Sequence, residues 1–320
     1  GPIVHHAEMM PQFANARNMV IRYRNIAQGI VIFCIGLFKK VYVADTCGEW
    51  VAQGFDSDST LTFFDAWGAT ISYHVQLYYD FSGYADMAIG AGLLFNIRLP
   101  QNFNSPYKAP DIQDFWRRWH MTLSRWLREY IYIPLGGNRS GEVRTYLHLF
   151  LTFLIGGLWH GAGWNFVIWG ALHGAALVIH RLWNSLGMKL PTIFAWVLTF
   201  VFLNAGWAFF RATSLERSMD ILRAMFGFNG IYLSEQISSR LALSAEWVVP
   251  AGSSLLYPLQ IFSFLLVSML VVLLTKNAVQ LVDGKKEFSF AVWAFCLGTL
   301  FMSWSVSVLG LPTDFLYFNF

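Results

Sequence analysis

Four stretches of this chain, residues 61–79, 192–210, 257–275 and 289–309, are long and apolar enough to cross the ~30 Å hydrocarbon core of a bilayer as helices. A segment in hydrocarbon has no water to satisfy its backbone N–H and C=O groups, so each spanning run must satisfy them internally. Composition agrees: 56% of the 320 residues are apolar, 18% aromatic and only 13% charged, unlike an ordinary soluble domain. The expected fold is all-α, a polytopic membrane helical bundle with interfacial amphipathic and re-entrant helices. No internal repeat, low-complexity tract or Pro/Ser linker divides it, so residues 1–320 read as a single membrane domain. The opening Gly1-Pro2-Ile3 has neither an initiator Met nor a signal sequence. We therefore expect the later part of a longer protein, with earlier helices of the bundle missing.

The polar and charged residues organise what lies between the spans. A short apolar run at 26–38 is closed by Lys39-Lys40, with an extension to Val43 open to it by snorkelling of the lysine stems. Residues 61–97 are long enough for about two passes, with the polar tract Asp80 to Asp86 expected as an interruption between them. Within it, Asp80 and Asp86 are carboxylates at or near membrane depth and candidate substrate contacts. Residues 98–144 carry Arg98, Lys108, Arg117, Arg118, Arg125, Arg128, Arg139 and Arg144 against four acids. That excess places the loop in the cytoplasm. Asp111 is the expected N-cap of one amphipathic helix ending before Pro134. Its Trp116, Trp119, His120, Leu123, Leu127 and Tyr130 share a face, and a basic helix with a tryptophan face is expected to lie in the membrane interface. From Arg144 a further helix rises ~24 Å to His160. Gly161-Ala162-Gly163 breaks it, residues 164–180 return, and 211–256 form an outer loop of balanced charge.

Motif searching removes several chemistries. The chain has no G-x-x-x-x-G-K-[ST], no H-E-x-x-H, no G-x-S-x-G and no C-x-x-C, and Gly90-Ala91-Gly92 lacks the third glycine of a dinucleotide loop. Cys34, Cys47 and Cys296 fit neither a paired disulfide framework nor metal-ligand spacing and read as buried apolar residues. A net charge of +3 is too small to suggest nucleic acid as a partner. Two histidines stand out. His160 is an ionisable ring in an apolar helix, and His120 lies on the interfacial helix; either can take a proton from a hydroxyl near neutral pH. Gly156-Gly157, one turn before His160, leave a patch without side chains where a substrate chain is expected to approach. His173 reads as a structural ring.

The set Tyr79-Asp80-Phe81-Ser82-Gly83-Tyr84-Ala85-Asp86, Pro100-Gln101-Asn102-Phe103-Asn104-Ser105-Pro106-Tyr107, Asp114-Phe115-Trp116-Arg117-Arg118-Trp119-His120, Tyr132-Ile133-Pro134-Leu135-Gly136-Gly137-Asn138 and Gly157-Leu158-Trp159-His160-Gly161, in this order, resembles the membrane-bound O-acyltransferase (MBOAT) family. Within it the likeness is to the bacterial branch that O-acetylates exported polysaccharides such as alginate. Ala85 stands where the family pattern has serine. The resemblance implies acyl transfer from a thioester donor, acetyl-CoA, to a hydroxyl, with no bound cofactor and no metal. It assigns His160 to the family's essential histidine and His120 to its second site residue. Trp159 and Asn165 would shape the site, and Arg117, Arg118 and Arg125 would meet donor phosphates or equally anchor anionic lipid. A periplasmic polysaccharide acetyltransferase partner and the bacterial inner membrane are implied as well. The alternatives are D-alanyl transfer to teichoic acid in a sister branch, or a noncatalytic transporter or scaffold.

Overall fold

The computed structural model describes residues 2–231, 233–234, 248–249, 259–285 and 287–308 and is helical almost throughout. In chain order the helices are α1 (His6–Ala14), α2 (Tyr23–Phe38), α3 (Asp45–Phe55), α4 (Phe63–Leu94), α5 (Ile112–Arg118), α6 (Met121–Leu127), α7 (Glu142–His160), α8 (Trp164–Ser185), α9 (Thr192–Arg211) and α10 (Leu215–Met225). They are followed by α11 (Leu259–Leu274), α12 (Ala278–Val282) and α13 (Phe290–Val308). The β pairing among the described residues is a two-residue parallel contact, Leu233–Ser234 with Val248–Val249. Among the described residues, three helices are long and apolar enough to cross a membrane: Tyr23–Phe55, α8 and α9. The expected spans at 192–210, 257–275 and 289–309 correspond to α9, α11 and α13. Most of the expected outer loop 211–256 beyond α10 lies outside the described residues.

Two expectations for the first half of the chain are overturned. The run at 26–38 does extend past Lys39-Lys40, but not by snorkelling and not only to Val43: a π-helical segment, Lys39–Ala44, carries the helix on into α3. Nor is residues 61–97 interrupted: α4 runs unbroken for 32 residues, opened by a capping box in which Thr62 and Asp65 bond each other's backbone N–H. One arrangement explains both results. Lys39 Nζ meets Asp86 Oδ2 at 2.6 Å, and Lys40 Nζ meets Asp80 Oδ1 at 2.9 Å and Asp45 Oδ1 at 2.6 Å. Lys40 and Asp80 are 3% and 2% exposed, so the lysines do not snorkel and the aspartates mark no break. Each charge is tolerated because its partner is within contact distance.

Glycine permits this approach. A Cβ on Gly29 would lie 2.7 Å from the Gly90 carbonyl, and one on Gly83 would lie 2.7 Å from the Gly36 carbonyl. These two pairs, seven residues apart on each helix, form the antiparallel seam along which α2 and α4 touch backbone to backbone. The hairpin of α7 and α8 uses the same device, since a Cβ on Gly170 would lie 2.6 Å from the Phe153 carbonyl and 3.1 Å from Gly157 Cα. The open patch expected beside His160 is therefore not open: Gly157 is filled by the backbone of α8, and Gly156 faces Leu127.

The helix expected between Asp111 and Pro134 is also divided. Asp111 caps its start as expected, accepting the Asp114 N–H at 2.8 Å. Trp119 then leaves the helical region and His120 takes φ 43°, ψ 53°, so α5 and α6 meet at a sharp corner. Trp116 and Trp119 consequently face the protein core, 8% and 5% exposed, rather than the membrane interface, and Tyr130 is exposed. All three cysteines are buried thiols, as their composition suggested.

Two substitutions test these contacts. Gly157→Leu forces a side chain into the α8 backbone, and overpacking of this kind costs about 1–3 kcal/mol even where neighbours can yield; thermal denaturation in detergent should show a marked drop in midpoint, and unchanged stability would refute the contact. Lys39→Met strands the Asp86 carboxylate at an expected cost of about 3–5 kcal/mol, whereas the Lys39→Met/Asp86→Leu double variant should be distinctly more stable than the single one.

Candidate active site

His160 is the last residue of α7, and the Gly161–Gly163 corner that follows turns the chain into α8. Because α7 and α8 touch through glycine, His160 is held against residues of α8 and, across it, of α9. Its ring packs edge-on to Trp159 at 4.8 Å, Trp169 at 5.3 Å and Phe210 at 5.0 Å between centroids. Phe210 is brought there by α9, whose end is tied down by the bidentate Arg211–Asp56 pair at 2.9 and 2.6 Å.

His120 arrives from the opposite side, at the corner between α5 and α6. A non-glycine residue in left-handed backbone costs of order 1 kcal/mol and marks a place worth inspecting. The conformation turns the ring inward, 2% exposed, edge-on to Phe81 at 4.8 Å and 6.4 Å from Trp159. Its Nδ1 lies 3.1 Å from Asn102 Oδ1. His120 and His160 line one cavity of about 20 Å³, together with Leu77 and Phe81 of α4, Trp119, Trp169 of α8, and Trp207 and Phe210 of α9. That volume holds about one water. The two histidines singled out from sequence thus share a site walled by aromatic rings.

The other residues expected at the site are placed elsewhere. Trp159 is 45% exposed and flanks both imidazoles without lining the cavity. Asn165 is buried and donates to the Ala212 carbonyl at 2.7 Å, joining the start of α8 to the end of α9. Asp80 and Asp86 sit in the lysine pairs described above. Arg118 bonds Asp114 at 2.8 Å, Arg125 bonds Glu8 at 2.7 and 3.2 Å, and Arg117 is exposed without an ion pair among the described residues. None of these three arginines lines the cavity.

Residue-by-residue reading of the sequence missed the tryptophans. Trp169 and Trp207 look like any apolar helical positions, yet they form the site's inner wall. His173, read as structural, accepts from Trp116 Nε1 at 3.2 Å and packs at a tilt against Trp169 with ring centroids 4.6 Å apart, behind that wall. Asn102 lay in a quoted motif without a role. The pairing of Lys39 and Lys40 with Asp80 and Asp86 had a readable signal: two cations inside one apolar run and two carboxylates inside another.

A helical membrane protein with two histidines on one aromatic cavity is the class that fold and site define. Residues 1–216 match the profile of the membrane-bound O-acyltransferase family. Similar proteins include a peptidoglycan O-acetyltransferase of Helicobacter pylori, 48% identical over 331 aligned positions that cover all of this chain and 62% of the relative. A probable alginate O-acetylase of Pseudomonas aeruginosa is 44% identical over 236 positions, 73% of this chain and 45% of the relative. A teichoic acid D-alanyltransferase of Bacillus subtilis is 33% identical over 153 positions, 43% of this chain and 39% of the relative. The chain belongs to the membrane-bound O-acyltransferase family. It spans about half to two thirds of the length of the two O-acetylating relatives.

The Arg125–Glu8 pair carries a pH signature. Hydrogen bonding from the Arg125 guanidinium holds the Glu8 carboxyl below its ordinary 4.5. A depressed folded value means the pair contributes above the unfolded value and the contribution fades as pH falls through the folded one. Both side chains are substantially exposed, so the effect is small and weakens in salt. The protection of α1 amides, taken relative to their intrinsic exchange rate at each pH, should fall slightly as pH drops through that range in the native chain, and Glu8→Gln should abolish the step.

Proposed function

We propose that this chain is the catalytic part of a membrane O-acetyltransferase that passes acetyl groups to hydroxyls of a polysaccharide outside the cytoplasm. The carrying observation is the convergence of His120 and His160 on one cavity, from elements far apart in sequence. In the proposed step a hydroxyl oxygen of the glycan attacks the carbonyl carbon of an acetyl thioester. The C–O bond forms, the C–S bond breaks, the thiolate leaves, and the hydroxyl proton passes to an imidazole. His160 acts as that base, and His120 bounds the reacting group on the opposite wall. The aromatic enclosure keeps water, the competing hydroxyl donor, away from the ester being formed. A cavity that holds about one water must widen to admit an acetyl group, so side chains of the wall shift when substrate binds.

Acetyl-CoA is the proposed donor. Two relatives named for O-acetylation of glycans favour acetyl over D-alanyl, since the D-alanyltransferase relative matches less of the chain at lower identity. Those two names differ in the glycan, so the acceptor class is a cell-envelope or exported polysaccharide, with alginate one candidate and peptidoglycan another. Relatives from bacteria favour the inner membrane, and a periplasmic acetyltransferase is the proposed recipient in systems where the glycan is acetylated after export. The arginines are proposed contacts for donor phosphates chiefly at Arg117, which has no ion-pair partner among the described residues.

His160→Ala in the full-length protein should reduce base-labile acetate on the cell's glycan by at least about 10²-fold while the protein reaches the membrane at normal abundance. Retained acetylation would remove His160 from the chemistry and leave the transporter or scaffold reading in its place.

A further inference from the structure

The hydrogen bonds around Asn102 determine which nitrogen of His120 carries the proton. Asn102 is fully buried in the segment between α4 and α5. Its side-chain oxygen receives the Thr122 backbone N–H at 3.3 Å and the Thr122 hydroxyl at 2.8 Å. The Ile3 N–H occupies a lone pair of that hydroxyl at 3.0 Å, which leaves the hydroxyl proton directed at Asn102. A backbone N–H can only donate, so the amide atom facing Thr122 is oxygen; turning the amide over would set two N–H donors against each other. The same oxygen lies 3.1 Å from His120 Nδ1, which must therefore present a proton to it. A rival contact asks the opposite of Nδ1: the Leu123 N–H points at it from 3.4 Å. The shorter contact, to an oxygen already identified as an acceptor, is the stronger claim.

We propose that Asn102 is a positioning residue that holds neutral His120 in the Nδ1–H tautomer, so that Nε2 is the lone-pair nitrogen available to the reaction. In that tautomer His120 offers Nε2 as a hydrogen-bond acceptor that orients the hydroxyl toward the base His160, rather than acting as a donor to the thioester carbonyl. This rests on the functional reading above, in which His120 bounds the reacting group. The backbone also takes part. The Asn102 carbonyl accepts the Met121 N–H at 2.9 Å, so the residue caps α6 from outside while it orients the ring. A purely capping role would leave the tautomer untouched, and that difference makes the proposal testable.

The experiment is solid-state NMR of the full-length protein in membranes with nitrogen-15 histidine, the His120 signals being those lost in His120→Gln. Protonated and bare ring nitrogens are well separated in such spectra. The expected result is a proton on Nδ1 in the native protein, its loss or mixing with the other tautomer in Asn102→Ala, and its retention in Asn102→Asp, which keeps an acceptor oxygen. Acetyl transfer should fall about 10²-fold in kcat with KM little changed in Asn102→Ala, and recover substantially in Asn102→Asp. A native spectrum with the proton on Nε2 overturns the proposal, even if Asn102→Ala fails to fold. So does an Asn102→Ala spectrum identical to the native one. Full acetyl transfer by His120→Gln, with the Nδ1–H signature present in the native protein, would instead sink the catalytic reading of His120 and leave the tautomer assignment standing.

Discussion

Contact of helix backbones through glycine is the constraint on which the rest of this structure depends. In a bilayer the lipid is as apolar as leucine, so expulsion of hydrocarbon surface does not drive helices together and close packing has to. Gly29 against Gly90, Gly36 against Gly83 and Gly157 against Gly170 bring pairs of helices to a separation that a single methyl group would prevent. The first two set the α2–α4 distance at which Lys39 and Lys40 can reach Asp86 and Asp80. The third sets the end of α7 against α8, which places His160 within ring contact of Trp169 and Phe210.

Charge and aromatic surface divide the interior between them. Between the π-helical segment with the start of α3 and the middle of α4, two lysines and three carboxylates form compact pairs, a costly arrangement when any member is removed and a specific one when all are present. Among the described residues that line the cavity there is no carboxylate and no lysine; the polar groups are imidazoles and indoles among phenylalanine and leucine side chains. A neutral, ring-walled site suits a reaction in which a proton leaves a hydroxyl and negative charge develops on a carbonyl oxygen, because each dipole acts more strongly where water is excluded.

The two histidines reach the site by different means. His160 rides on the end of a long helix and is positioned by helix packing. His120 sits at a corner in left-handed backbone and is positioned by hydrogen bonds, with Asn102 supplying them from a third segment. Even the residues near the start of the chain contribute, since the Ile3 N–H is joined through Thr122 to the oxygen that holds His120.

The sequence by itself determined the membrane character, the helical class, the apolar stretch that becomes α9, the Asp111 cap and the choice of His120 and His160 as candidates, because each rests on local composition or on a cost that attaches to a single residue. An imidazole in an apolar run is expensive wherever the chain goes, so His160 was legible without a partner in view. The tertiary structure alone decided what depends on pairing between distant segments. It turned Asp80 and Asp86 from an apparent break into members of ion pairs, gave the glycines beside His160 to the backbone of α8, bent one expected helix into two at His120, and chose Trp169 and Trp207 from among 14 tryptophans as the wall of the site. Lipid-facing and protein-facing apolar residues have the same chemistry in one dimension, and only packing distinguishes them.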